Sequence, residues 1–132
     1  MDIEGVQRLC ASFPGAVAHL RPPPMNILVY NLGEKTFAYF KTSEPERWRF
    51  SVRVTPDRFL ELTDMPGVKP ARFMARFHWV TIVDVRRMPE AYLTELVTWS
   101  YRRALGSLSR KRQRELAGDM AGLEPVGRLP RR

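Results

Sequence analysis

Residues 47–54 read Arg-Trp-Arg-Phe-Ser-Val-Arg-Val, and their strict alternation divides them into two sets. On an extended chain Trp48, Phe50, Val52 and Val54 fall on one side, and Arg47, Arg49, Ser51 and Arg53 on the other. The apolar set belongs to a core, so the sheet that holds this strand must be covered on that side by other elements.

The flanking segments supply the cover. Ile3, Val6, Leu9, Cys10 and Phe13 recur at three- and four-residue steps, forming one face of a first helix that Pro14-Gly15 ends. After the extended connection Pro22-Pro23-Pro24, residues 26–32 are rich in branched and aromatic side chains and predict a strand. Gly33 takes the hairpin turn, and residues 35–42 return as the partner strand. Ser43-Glu44-Pro45-Glu46 makes a loop before 47–54, after which Thr55 caps and Pro56 opens a short helix carrying Phe59, Leu60 and Leu62. Residues 64–70 turn the chain, and 78–85 form a strand whose two alternating sets are both partly apolar. Pro89 and Glu90 then open the longest helix, with Leu93, Leu96, Val97, Ser100 and Ala104 as its stripe and Gly106 at its end. This order of helix, hairpin, strand, short helix, strand and long helix predicts an α+β fold, an antiparallel sheet covered by helices.

At 132 residues the chain suits one domain with a core of its own. Its net charge of +8 is uneven: from Arg102 onward nine basic residues face three acidic ones, leaving residues 1–101 nearly balanced. Residues 1–106 are therefore read as the folded domain and 107–132 as a basic tail. Residues 107–117 suit a short basic helix, and the Gly- and Pro-bearing remainder is expected to be disordered. Such a tail attracts polyanions without regard to sequence, or it serves as a solvated end. One cysteine excludes an internal disulfide and a cysteine-based zinc cluster. No signal peptide is read at the N-terminus and no run of 18 apolar residues occurs, so a cytoplasmic protein without a membrane partner is expected.

Three groups of residues bear on function. Arg47, Arg49 and Arg53 lie two residues apart or in step with that period, which on a strand spaces neighbours by about 7 Å, close to the spacing of successive phosphates along one nucleic-acid strand. They either meet phosphates or pair with Glu44, Glu46 or Asp57. Lys69, Arg72, Arg76, His78 and Trp79 interleave with Phe73 and Phe77, a mixture of charge and rings suited to phosphate contact and base stacking, with Trp79 as the candidate stacking residue. The aromatic members suit a core equally well. Arg110, Lys111, Arg112 and Arg114 form a compact cluster on the tail, a mobile clamp on a polyanion or a solubilising end.

Catalytic constellations are missing. His19 and His78 show no metal spacing, and no GxSxG, P-loop or GxGxxG occurs. Cys10 lies on an apolar helical face, where a thiol packs as a small hydrophobe, and Ser100 sits within an apolar stripe. No enzyme activity, metal or cofactor is expected.

An ordered series of segments carries a resemblance. Cys10-Ala11-Ser12-Phe13-Pro14-Gly15-Ala16, Gly33-Glu34-Lys35-Thr36-Phe37-Ala38, Phe50-Ser51-Val52-Arg53-Val54-Thr55-Pro56, residues 69–82 and Ser100-Tyr101 together resemble the MmcQ/YjbR family of small bacterial proteins over residues 1–108. The resemblance implies an α+β sandwich related in shape to frataxin-like proteins and small secretion chaperones, with hairpins likened to paired wings on DNA. It also implies DNA as partner. Arg53 stands where the family pattern carries a basic residue shortly before a proline, here Pro56. Relatives tend to show an Asn-Lys pair ahead of His-Trp, whereas this chain has Ala75-Arg76-Phe77, keeping the charge and losing the amide. The expected function is a non-enzymatic module that binds nucleic acid with low sequence specificity through Arg and Lys. The alternative is a protein-interaction or chaperone-like adaptor, engaging a protein partner or a second copy.

Overall fold

The computed structural model describes residues 1–118. Residues 119–132, the greater part of the segment expected to be disordered, lie outside the described residues.

Helix α1 (Ile3–Ser12) starts where the Asp2 carboxylate accepts the Gly5 amide at 2.8 Å and buries Val6 and Cys10, as the three-four spacing predicts. Strands β1 (Ala16–Arg21), β2 (Ile27–Leu32), β3 (Lys35–Lys41) and β4 (Phe50–Arg53) follow. Thr55 caps α2 (Pro56–Thr63) by accepting the Arg58 amide, with Pro56 opening the helix. After β5 (Val68–Pro70) and β6 (Trp79–Ile82) come the long α3 (Glu90–Gly106) and α4 (Arg110–Ala117), which Ser109 caps. The six strands form one antiparallel sheet in the order β1-β2-β3-β4-β6-β5.

The register sorts the side chains onto two faces. Leu28, Phe40, Phe50, Ile82 and Val68 make one cross-strand row, and Tyr30, Ala38, Val52 and Val80 the next. Most of these belong to the core, into which α1, α2 and α3 insert Val6, Cys10, Leu62, Leu93, Leu96, Val97 and Tyr101. A bulge between Tyr30 and Asn31 shifts the pairing with β3 beside Phe37. The Phe37 ring meets Tyr101 edge-on at 5.4 Å, and Tyr101 stacks on Phe13 at 4.5 Å while donating to the Pro14 carbonyl. These rings fasten the end of α1 to the middle of α3, with aromatic pairs contributing about 0.5–1.5 kcal/mol each beyond burial.

Sequence and structure differ in several places, among them residues 64–70, where the expected turn ends in the short edge strand β5, and residues 78–85, where the strand is regular only over Trp79–Ile82. Strand β1 is not predicted, because as an edge strand it leaves five of its six residues exposed and so carries no burial pattern. The strand expected over 47–54 is regular only over Phe50–Arg53: Glu46 and Trp48 take left-handed backbone angles (φ +60° and +72°), folding 46–49 into a tight loop. The basic cluster 110–114 lies on an ordered helix, not on a mobile clamp. Leu108, Gln113 and Ala117 are buried, and α4 is held to the hairpin turn by an Arg112–Glu34 ion pair at 3.5 Å.

Candidate functional site

The face of the sheet turned away from the core carries the row His19, Val29, Tyr39, Ser51, Thr81 and Lys69, one residue from each strand. Tyr39 and Trp79 stand two strands apart, yet their rings lie 5.6 Å centre to centre. They lean together over β4, which is why Ser51 and Thr81 are 1% and 2% exposed and bond to each other at 2.7 Å. Trp79 is thereby buried, and its ring faces are not open to the stacking role expected of it.

The arginine row is broken up by acids. Arg47 sits in the 46–49 loop with its guanidinium 3.6 Å from Glu44, and Arg49 meets Glu46 at 2.9 Å. Lys69 approaches the same Glu46 carboxylate from β5 at 2.9 Å, so two cations share one anion. Hydrogen bonds from Lys69 and then Arg49 hold the Glu46 carboxyl below its usual range. A continuous positive ridge of Arg47, Arg49 and Arg53 is therefore not present. Arg112 is also paired, with Glu34 and Glu115, while Arg110, Lys111 and Arg114 are exposed on α4 without an ion pair among the described residues.

Arg53 behaves differently. It lies opposite Trp79 at the end of β4, partly buried, and its amide is donated to the Ser100 hydroxyl of α3 at 3.4 Å. Ser100 in turn donates to the Phe37 carbonyl at 2.7 Å, so one buried hydroxyl ties α3 to both central strands. Arg103 is one helical turn beyond Ser100 and comes beside Arg53. Burial first, and the Arg103 charge second, hold the Arg53 guanidinium below its ordinary range, and burial does the same to Arg103. No carboxylate pairs either of them among the described residues. Sequence reasoning passed over Arg103, although its three-residue offset from the stripe residue Ser100 was the available signal.

The loop from Ala71 to His78 completes the arrangement. Ala71 donates its amide to the Trp79 carbonyl, and further amides of Met74, Phe77 and His78 close successive turns within the loop. Phe73 and His78 take left-handed angles (φ +67° and +66°). Phe73 stands 84% exposed with the Arg72 guanidinium 5.1 Å from its ring centre. Phe77, 40% exposed, has Arg76 at 4.8 Å and Arg53 at 6.0 Å. Of the expected site residues, Arg53 and Arg76 thus meet at Phe77 with Arg103 beside Arg53, Arg72 lies against Phe73 on the same loop, and α4 carries a separate basic surface.

Among the described residues no group of three His, Cys, Asp or Glu side chains converges as metal ligands, and no helix is long and apolar enough to cross a membrane. Cys10 is fully buried, and burial pushes its thiol up to about 12.

Comparison with known proteins agrees with this architecture. The crystal structure of Deinococcus radiodurans protein DR2400, which carries the domain DUF419, superposes with a TM-score of 0.72 at 22% identity, covering 92% of this chain and 93% of that one. That likeness is one of fold. No curated protein matches the sequence. The family model described as YjbR matches residues 11–103, from the end of α1 to Arg103 in α3, and the chain belongs to the YjbR family.

Proposed function

We propose that this protein is a non-enzymatic module that binds nucleic acid, DNA among the candidates, with low sequence specificity. The observation that carries the reading is a run of guanidinium groups without acids: Arg53 and Arg76 both meet the Phe77 ring, Arg103 comes beside Arg53, and no carboxylate pairs with any of the three among the described residues. Like charges held together on a rigid frame lower their mutual repulsion when an anion arrives, and a planar guanidinium matches phosphate oxygens two at a time. Arg72 extends the group along the loop, and Arg110, Lys111 and Arg114 offer a further basic surface on α4. The charged contacts are with the phosphate backbone, and nothing in the arrangement points to a base code.

The test is a fluorescence-anisotropy titration of the whole chain with labelled duplex and single-stranded DNA at about 50 and 200 mM salt. Arg53→Gln combined with Arg76→Gln is expected to weaken binding and to flatten the slope of log affinity against log salt by about 0.9 for each phosphate left unneutralised. Neutralising Arg110, Lys111 and Arg114 measures the share of α4. That comparison keeps the helix in place, whereas removing it would strip Ala117 from the core and Leu116 from its edge. Absence of binding to every probe at low salt would overturn the reading.

One observation favours the alternative of a protein-interaction module. Among the described residues no strand pairs with the outer edge of β1, and Val17 and Leu20 on it are 52% and 66% exposed. Such an edge accepts a strand from a partner or from a second copy. A concentration-dependent dimer abolished by Val17→Lys, in a protein that fails to bind nucleic acid, would favour it.

A further inference from the structure

Resting on the nucleic-acid reading above, we infer that the 71–78 loop discriminates between nucleic acids, taking unpaired bases of a single strand onto Phe73, with Phe77 as a second, partly covered platform. Two features of Phe73 point this way. Its backbone sits in the left-handed region at φ +67°, which glycine or asparagine occupies at lower energy, and its ring gains no burial in return, being 84% exposed. A bulky ring kept at such a position is a binding surface without its partner. The chemistry around it narrows the partner. Arg72 lies 5.1 Å from the Phe73 ring, and Arg76 and Arg53 flank Phe77, so each ring has a cation beside it that no acid neutralises among the described residues. An apolar protein partner would leave those charges desolvated without a counterion, whereas a nucleic-acid strand supplies a flat π-face for each ring and a phosphate for each guanidinium. In a duplex the bases are already stacked on one another and their faces are closed to a side chain. Only unpaired bases present both partners together.

The loop is braced for this role. Ala71 is anchored to Trp79, and the amides of Met74, Phe77 and His78 bond to carbonyls within the segment, so the ring is presented on a hydrogen-bonded turn.

Anisotropy titrations of the full chain at about 50 mM salt with oligo(dT) and oligo(rU) of about 12 nucleotides, an abasic strand of the same length and a matching duplex test the inference. The variant is Phe73→Asn, which removes the ring and suits the left-handed backbone. Binding to either oligonucleotide at least about tenfold tighter than to the abasic strand, and a loss of about 5- to 100-fold in that affinity in Phe73→Asn with duplex binding unchanged, would support it. Phe73→Asn binding the strand within about twofold of wild type would overturn it, and if salt-dependent binding to the duplex persists, the phosphate reading stands without the stacking platform. Failure of the wild type to bind any probe would remove both.

Discussion

Substituting Gly15 by alanine probes how firmly α4 is seated, on which the whole C-terminal half of the basic surface depends. Gly15 follows α1 with φ +78°, and a β-carbon there would collide with the Leu116 carbonyl oxygen of α4. The same carbon would stand 2.9 Å from the Leu116 carbonyl carbon and from Leu32 Cδ1. Two costs add. The left-handed backbone penalises alanine by about 1–2 kcal/mol, and forcing an extra carbon into a packed region whose obstacle is backbone costs about 1–3 kcal/mol. Together they come to about 2–5 kcal/mol, a large fraction of a small domain's stability. Gly67 separates the two parts, because it has φ +84° and nothing within 4 Å of the missing carbon, so Gly67→Ala should cost only the backbone portion, about 1–2 kcal/mol. Urea unfolding of the wild type and both variants, followed by tryptophan fluorescence and fitted with a common slope, measures the difference. If Gly15→Ala costs no more than Gly67→Ala within about 0.5 kcal/mol, α4 does not rest on Gly15 and its packing against the domain is refuted.

Cys10 should resist thiol reagents at pH 8 in the native protein and react fully in denaturant, since burial pushes its pKa from 9.0 up to about 12. The sign follows: the unfolded thiol releases its proton first, so stability holds below pH 9 and falls by about 1.4 kcal/mol per pH unit from there toward 12. Tyr30 and Tyr101, both raised by burial to about 12, add to the decline above pH 10, and alkaline unfolding titrations read the slope. Glu46→Gln releases Lys69 and Arg49 from their shared carboxylate; the expected stability change is within about 1 kcal/mol. Under the nucleic-acid reading the same variant binds more tightly, with a salt slope steeper by up to about 1.8 for two further phosphates neutralised, and an unchanged slope would exclude those two cations from the interface.

Much of the architecture was legible because it rests on local signals. The spacing of Val6 and Cys10, the Gly33 hairpin and the Thr55-Pro56 start are decided within a few residues, and the structure keeps each of them. The alternation at 47–54 misled because period two describes a chain free to extend. Here the carboxylates of Glu44 and Glu46 and the left-handed turn at Trp48 draw three of its residues into a loop. Strand β1 gave no signal since solvent takes both its faces, and its pairing with β2 is through backbone atoms common to every sequence. The exposure of Phe73 was equally hidden: a hydrophobic residue in sequence reads as buried, and only the loop's fold reveals that Phe77 is half covered and Phe73 is not. Arg103 needed the tertiary link through Ser100 before its proximity to Arg53 became visible.

That link also sets the pitch of the charges. Because the Ser100 hydroxyl grips a carbonyl of one central strand and an amide of the next, the guanidinium one turn along the helix is indexed to the sheet. Under the nucleic-acid reading, an incoming phosphate would meet a ruler already graduated, and little backbone freedom would be surrendered on docking. Changing the number of charges at positions 53 and 103 would alter the strength of that reading while leaving its spacing untouched.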